Sequence, residues 1–240
     1  MVDQALMMIA DIGGYTQYMR LHRLSLAHSQ DITGRLLKAV VRAAPELKLI
    51  EVEGDAAFLY APIDAERTSP TSVAAQLALT MHRAFHAEQD RMIALNMCSC
   101  PGCVEAGQLR VKFVAHVGEV AIQTIKRYAQ LVGLDVIVVH RMLKNSVPIE
   151  EYVLMSEPVY RQSPPNFRDH ATGVEHDLEG VGVATLYFCD LQTVVSERPA
   201  PPTVTLPRRL RQTLGVACRG MPRMLRKQRP RAAVEGRPAG

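Results

Sequence analysis

Apolar and polar positions alternate in blocks along the first 195 residues. Ala5–Ala10 is a short unbroken apolar run, the pattern of a strand buried on both faces. It meets a turn at Gly13-Gly14 and then a helical period from Tyr15 to Ala44, carried by Leu24, Ile32, Leu36, Leu37 and Val40. Leu47–Glu53 and Ala56–Ala61 predict two strands joined by a tight hairpin at Gly54-Asp55. Ser72–Leu95 predicts a second long helix. Leu109–His116 and Glu119–Ile125 predict strands on either side of Gly118, and Gly133–Leu143 a further helix. Tyr152–Met155 and Ala184–Asp190 read as late strands. The order β-α-β-β-α-β, with more elements after it, predicts an α/β (α+β) domain with a ferredoxin-like core.

This pattern stops at Glu197-Arg-Pro-Ala-Pro-Pro-Thr203, whose prolines remove backbone donors and favour extended chain. The chain therefore divides into a domain over 1–195, a Pro-rich linker over 196–206 and a tail over 207–240. From Pro207 onward ten Arg and Lys face a single acid, Glu235, so the net charge of +4 and the pI near 8.9 belong to the tail. The domain itself is mildly acidic. The tail reads as a solvated, disordered or partly helical segment, or as a basic amphipathic one for an anionic membrane or an acidic partner. It has no aromatic residue on which bases could stack, which argues against nucleic acid.

Composition adds exclusions. Apolar residues make up 48% and charged residues 22%, too apolar and too weakly charged for a disordered chain. No apolar run approaches the roughly 20 residues of a membrane span. No basic segment precedes an apolar stretch at the N-terminus, so a cytoplasmic location is expected, peripheral to a membrane if the tail binds one.

Candidate chemistry collects at three places. Asp11 ends a buried strand and is followed by Gly13, Gly14, Tyr15 and Thr16, a glycine turn into a helix whose backbone N–H groups suit phosphate oxygens. Asp55 stands at a hairpin tip, and in a β-α-β-β unit the two carboxylates can converge. Such a pair suits Mg²⁺ or Mn²⁺ carrying a phosphate chain, or each is only a cap and a turn residue. Cys98, Cys100 and Cys103 lie in a loop over 98–107. They fit a structural Zn²⁺ with His82 or His86 as a further ligand, a redox-sensitive cluster, or unligated thiols.

The chain resembles the catalytic domain of the class III adenylate and guanylate cyclases, in a divergent bacterial branch described as a domain of unknown function. The resemblance is carried in order by Ala10-Asp11-Ile12-Gly13-Gly14-Tyr15-Thr16, Glu53-Gly54-Asp55-Ala56, the strand segment around His116-Val-Gly118, Gly133-Leu-Asp-Val136 through Arg141-Met142, and Leu178-Glu-Gly180 through Tyr187-Phe188. It implies that Asp11, Ile12 and Asp55 hold two divalent ions and that Gly13–Thr16 hold the triphosphate of ATP or GTP. It implies that Arg141 stabilises charge on the α-phosphate, that Glu51 and Gln130 meet the base, and that the working unit is a homodimer. The reaction would be attack of the ribose 3′-oxygen on the α-phosphate with loss of pyrophosphate.

Two positions depart from the family pattern. Ile137 stands where the family has an Asn that contacts the transition state, and Val181 falls near its phosphate-binding Lys. Lys144 and Asn145, one helical turn past Arg141, are candidates to compensate. The metal half of the site thus matches while the transition-state half is incomplete. A slow nucleotidyl cyclase and a catalytically degenerate nucleotide-sensing module, signalling through the basic tail, are both compatible with it.

Overall fold

Residues along β1 (Val2–Gly13) alternate between two cores. Leu6, Met8, Ala10 and Ile12 belong to one, and Ala5, Met7 and Ile9 to the other. Both faces are covered, which is why the run has no polar interruption. The computed structural model describes residues 2–21, 26–63, 70–95, 104–126 and 128–194. Cys98, Cys100 and Cys103, the Pro-rich linker and the basic tail lie outside the described residues.

The other strands are β2 (Lys48–Glu53), β3 (Ala56–Pro62), β4 (Arg110–Ile125), β5 (Tyr128–Val132), β6 (Tyr152–Ser156), β7 (Ala171–Leu178) and β8 (Gly182–Asp190). They form one mixed sheet in the order β2-β3-β1-β4-β6-β8-β7, with β5 pairing the far end of β4. The β4–β6 pair is parallel and every other pair is antiparallel. The first four strands of this order are those of a ferredoxin-like sheet, so the expected α+β class holds.

The period expected over Tyr15–Ala44 is carried by two helices, α1 (Tyr15–Leu21) and α2 (Leu26–Arg42), with Leu24 outside the described residues, and α3 (Pro70–Leu95) carries the second long period. Leu36 and Val40 of α2 and Ala78, Met81 and Phe85 of α3 cover the face of β1 that bears Leu6 and Met8. On the opposite face, Val139 and Met142 of α4 (Leu134–Met142) pack with Met7, Ile9 and Phe58. Three short helices, α5 (Glu157–Gln162), α6 (Pro165–Arg168) and α7 (Leu191–Val194), finish the α2–α3 side through Val159, Phe167 and Leu191. No helix among the described residues is long and apolar enough to cross a membrane.

One expectation is corrected. Gly118 does not separate two strands, because β4 runs unbroken through it with Gly118 opposite Ala5 of β1. Its role is steric. A Cβ there would lie 2.0 Å from Cγ of Asp135 at the start of α4. Strands β5 and β7 have no counterpart in the sequence pattern. Both are largely exposed and bury one leucine each, Leu131 and Leu178, too few for a period-2 pattern to mark.

Candidate functional site

The end of β1 and the β2–β3 hairpin bring the two expected carboxylates together. Asp11 follows Met7 and Ile9 on the α4 side of the sheet, with Ala56 opposite it on β3 and Lys112 opposite it on β4. The turn at Gly54 has φ +61°, open to glycine at little cost. The Ile12 N–H donates to the Asp55 carbonyl at 3.2 Å and fixes the hairpin tip against β1. Burial, and then the negative charge of Asp11, push the Asp55 carboxyl up to about 6. The Asp55 backbone N–H and Lys112 oppose that rise. Lys112 Nζ lies 3.3 Å from Asp11 Oδ2. The Ile12 side chain is in the core, so its backbone carbonyl is what it has to offer a cation.

Beyond Asp11 the chain leaves the sheet through Gly13 and Gly14. Gly14 has φ +82°, and its carbonyl accepts the Tyr18 N–H at 3.0 Å to open α1. Tyr15 is half-buried and Thr16 exposed on the first turn. Tyr18, below them, is buried and anchors the helix. The expected phosphate loop is thus a glycine turn at a helix start, immediately after the first carboxylate.

Helix α4 is clamped onto β4 by its first turn. Asp135 Oδ1 lies 2.9 Å from His116 Nε2, and Oδ2 accepts the Glu119 N–H at 2.6 Å. Gly118 and Gly133 make the approach possible, since a Cβ on Gly133 would lie 2.8 Å from the Glu119 carbonyl. This clamp sets where the rest of α4 points. Arg141 pairs with Glu179 at the β7–β8 turn. Ile137 is about half exposed, at 49%. Together with Val136, His140, Leu143, Lys144 and Glu53 of β2, these two residues line an open groove of about 670 Å³. The groove therefore joins α4 to the strand that leads into Asp55.

The two candidate compensating residues separate. Lys144 is exposed on the groove wall. Asn145 is committed elsewhere. Its Nδ2 donates to the Met142 carbonyl at 2.7 Å, and its Oδ1 accepts the Val147 N–H at 3.1 Å and the Tyr152 hydroxyl at 2.8 Å. It caps the end of α4. Glu51 lies opposite Phe58, on the α4 side of the sheet, and is exposed. Gln130 is exposed on β5 opposite Gln123, and β2 and β5 come near each other.

Sequence reasoning missed two participants. Lys112 is the one charged residue within the apolar run Val111–Ala115, and only the β1–β4 register puts it opposite Asp11. Glu179 is one exposed acid in a turn, and only the fold carries it to Arg141. The lone lysine within Val111–Val114 was the one available signal.

Residues 33–152 match the family described as "Protein of unknown function (DUF2652)". "Uncharacterized protein Rv2561/Rv2562" of Mycobacterium tuberculosis is 41% identical over 160 residues, covering 66% of this chain and 73% of that one. Among solved structures, the adenylyl cyclase CyaB of P. aeruginosa superposes with a TM-score of 0.60 at 13% identity, over 85% of this chain and 98% of that one. The guanylate cyclase domain of RhGC from Catenaria anguillulae, in complex with GTP, gives 0.53 at 16% identity over 78% and 95%. A class III adenylyl cyclase-like ATP-binding protein from Pseudomonas aeruginosa gives 0.57 at 15% identity over 70% and 36%. The likeness to these structures is one of fold, and it is the fold that the sequence motifs imply.

Proposed function

We propose a nucleotide-binding role for this chain, which belongs to the DUF2652 family and carries the catalytic-domain fold of the class III cyclases. The ligand is a purine nucleoside triphosphate carried with two divalent ions, Mg²⁺ or Mn²⁺. One observation carries the reading. Asp11 and Asp55 meet on one face of the sheet, beside a glycine turn that opens a helix, and burial, with the charge of Asp11 behind it, holds Asp55 up at about 6. Two neighbouring, partly buried carboxylates are a donor set that suits a hard cation.

Asp11, Asp55 and the Ile12 carbonyl would hold the ions, which lower the pKa of the 3′-hydroxyl and clamp the triphosphate when bound. The N–H groups following Gly14 would receive phosphate oxygens. Lys112 would leave Asp11 as the cations arrive. Glu51, exposed on the α4 side, offers acceptors to a guanine edge. Arg141 must exchange Glu179 for phosphate. Solved proteins of this fold include one in complex with GTP and one described as ATP-binding, so both bases remain in play. The resemblance places such sites between two catalytic domains, so the site would be completed in a homodimer.

Turnover is slow, and Ile137 is the reason. An isoleucine side chain donates no hydrogen bond, and loss of one transition-state donor costs about 10²–10³ in rate. The second reading, a pure nucleotide sensor, is favoured by the same residue and by the Arg141–Glu179 pair.

The test is thermal stabilisation of the full chain by Mn²⁺ with ATP or GTP, alongside mass spectrometry for cyclic nucleotide and pyrophosphate. Ligand at 100 times its Kd stabilises by about 2.7 kcal/mol. Stabilisation that Asp55→Asn abolishes supports the reading. Cyclic product makes the chain an enzyme, and binding without product makes it a sensor. The absence of any nucleotide-dependent shift would sink both.

A further inference from the structure

On the opposite face of the sheet from Asp11 and Asp55, three ligand-type side chains meet in the core. His82 and His86 stand one turn apart on α3, so both imidazoles point the same way. Glu151 enters from the start of β6. Their exposures are 5%, 5% and 4%. One ligand atom from each falls within 4.8 Å of the others. We propose that His82, His86 and Glu151 bind one divalent transition-metal ion of the zinc class.

The hydrogen bonds around the cluster orient it inward. Gln89 donates its Nε2 to two carbonyls, Ala106 at 2.8 Å and Leu109 at 2.9 Å. That pins the amide, and its Oε1 is left facing His86 Nδ1 at 2.9 Å. An amide oxygen only accepts, so Nδ1 carries the proton and donates. His86 Nε2 is thereby turned to Glu151 Oε1 at 2.6 Å. A nitrogen and a carboxylate oxygen facing each other in the core require a proton or a cation between them. An outer group that fixes the tautomer and aims the second nitrogen at a metal is the usual support of a histidine ligand.

Glu151 is held in the same manner. Its Oε1 accepts the Val111 N–H at 3.4 Å and its Oε2 the Gln192 Nε2 at 2.8 Å. The third member is the informative one. Neither ring nitrogen of His82 makes a hydrogen bond among the described residues, although the ring is buried and its Nε2 lies 3.5 Å from Glu151 Oε2. Buried polar atoms of this kind are rare, and each calls for a partner. Two imidazoles and a carboxylate suit Zn²⁺, with a fourth position for water or another donor, and do not suit oxygen-seeking Mg²⁺ or Ca²⁺.

The site would be a staple. It joins α3, β6 and α7, whose Leu191 N–H donates to the Glu151 carbonyl at 3.1 Å. It is separate from the nucleotide reading, and neither depends on the other.

The experiment uses full-length protein stripped of metal and titrated with Co²⁺ and Zn²⁺. A Cys98/Cys100/Cys103→Ser triple variant runs alongside, because those thiols are a rival soft-metal site. The expected result is one Co²⁺ per chain with the intense d–d absorption of a four-coordinate site, kept in the triple variant and free of thiolate charge transfer there, while any Co²⁺ at Asp11 and Asp55 adds only the weak absorption of six oxygen ligands. His82→Gln and Glu151→Gln should weaken the affinity at least tenfold, and Zn²⁺ should raise the melting temperature of wild type but not of His82→Gln. Circular dichroism verifies folding. If either substitution prevents folding, the spectrum of the triple variant decides alone. No stoichiometric Co²⁺ absorption in the folded triple variant, or affinity unchanged by His82→Gln, overturns the proposal and leaves a buried histidine–glutamate pair.

Discussion

Lys112 Nζ lies 3.3 Å from Asp11 Oδ2, its register partner across β1 and β4, so the chain supplies its own cation to the carboxylate that ends β1. A divalent ion must compete with that ammonium. Lys112→Met should therefore tighten Mn²⁺ binding several-fold. Apo stability should change by less than about 1 kcal/mol, since partly exposed ion pairs contribute little. Calorimetric titration of Mn²⁺ into both proteins measures it, and weaker binding in the variant would count against Asp11 as a ligand.

Asp55 gives the pH dependence. Its carboxyl titrates near 6 in the folded chain against 3.8 as its ordinary value. A raised folded value means that its contribution favours folding below about pH 4 and is lost as pH rises through 6. Apo protein at pH 7.5 should gain about 1 kcal/mol from Asp55→Asn, after allowing for solvent screening at a half-exposed group. That is a rise of about 2–4 °C in melting temperature. Mn²⁺ binding by wild type should fall as pH drops through 6. A pH-independent affinity between 5 and 7.5 would contradict the assignment.

Glu179 holds Arg141 in the apo chain. Glu179→Ala frees the guanidinium, so binding of triphosphate should strengthen about threefold to tenfold while the fold is unchanged. Fluorescent nucleotide titration reads it. Equal affinity in variant and wild type would place Arg141 away from the phosphates.

Ile137 is exposed in the α4 groove, so replacing it costs little packing. Ile137→Asn restores an amide where the cyclase pattern has one. Cyclic nucleotide formation with Mn²⁺ should rise by about 10²-fold relative to wild type. Mass spectrometry of product over hours is sensitive enough, and a flat result would favour the sensor.

Gly118 should resist substitution. Alanine in a strand ordinarily stabilises relative to glycine. Here its Cβ would meet Asp135 at 2.0 Å and force α4 off β4. Gly118→Ala should cost about 1–3 kcal/mol in denaturant unfolding, the range of an overpacked core.

Much of this was legible from the chain. Asp11 and Asp55 could be paired from strand order alone, because β1 and β3 must be neighbours in a β-α-β-β unit. His116-Val-Gly118 and Gly133-Leu-Asp135 were read as motifs, but their physical content was hidden. They are the two halves of one clamp, and the clamp exists only when β4 and α4 are in contact. Asn145 is, by its place one turn past Arg141, a candidate to compensate for the missing donors. Its amide is spent on capping α4, and hydrogen-bond allegiance of that kind carries no sequence period.

The sequence by itself determined the alternation of strands and helices, the two-faced burial of β1, the glycine turn and the carboxylates. Those follow from local physics, since periodicity, backbone freedom and charge are properties of neighbouring residues. Tertiary structure alone decided that Lys112 would face Asp11, that Glu179 would hold Arg141, and that His82, His86 and Glu151 would share one point in the core. Each of these joins residues from different elements. Their distances are set by sheet register and helix docking, which depend on how whole faces pack and not on any spacing along the chain.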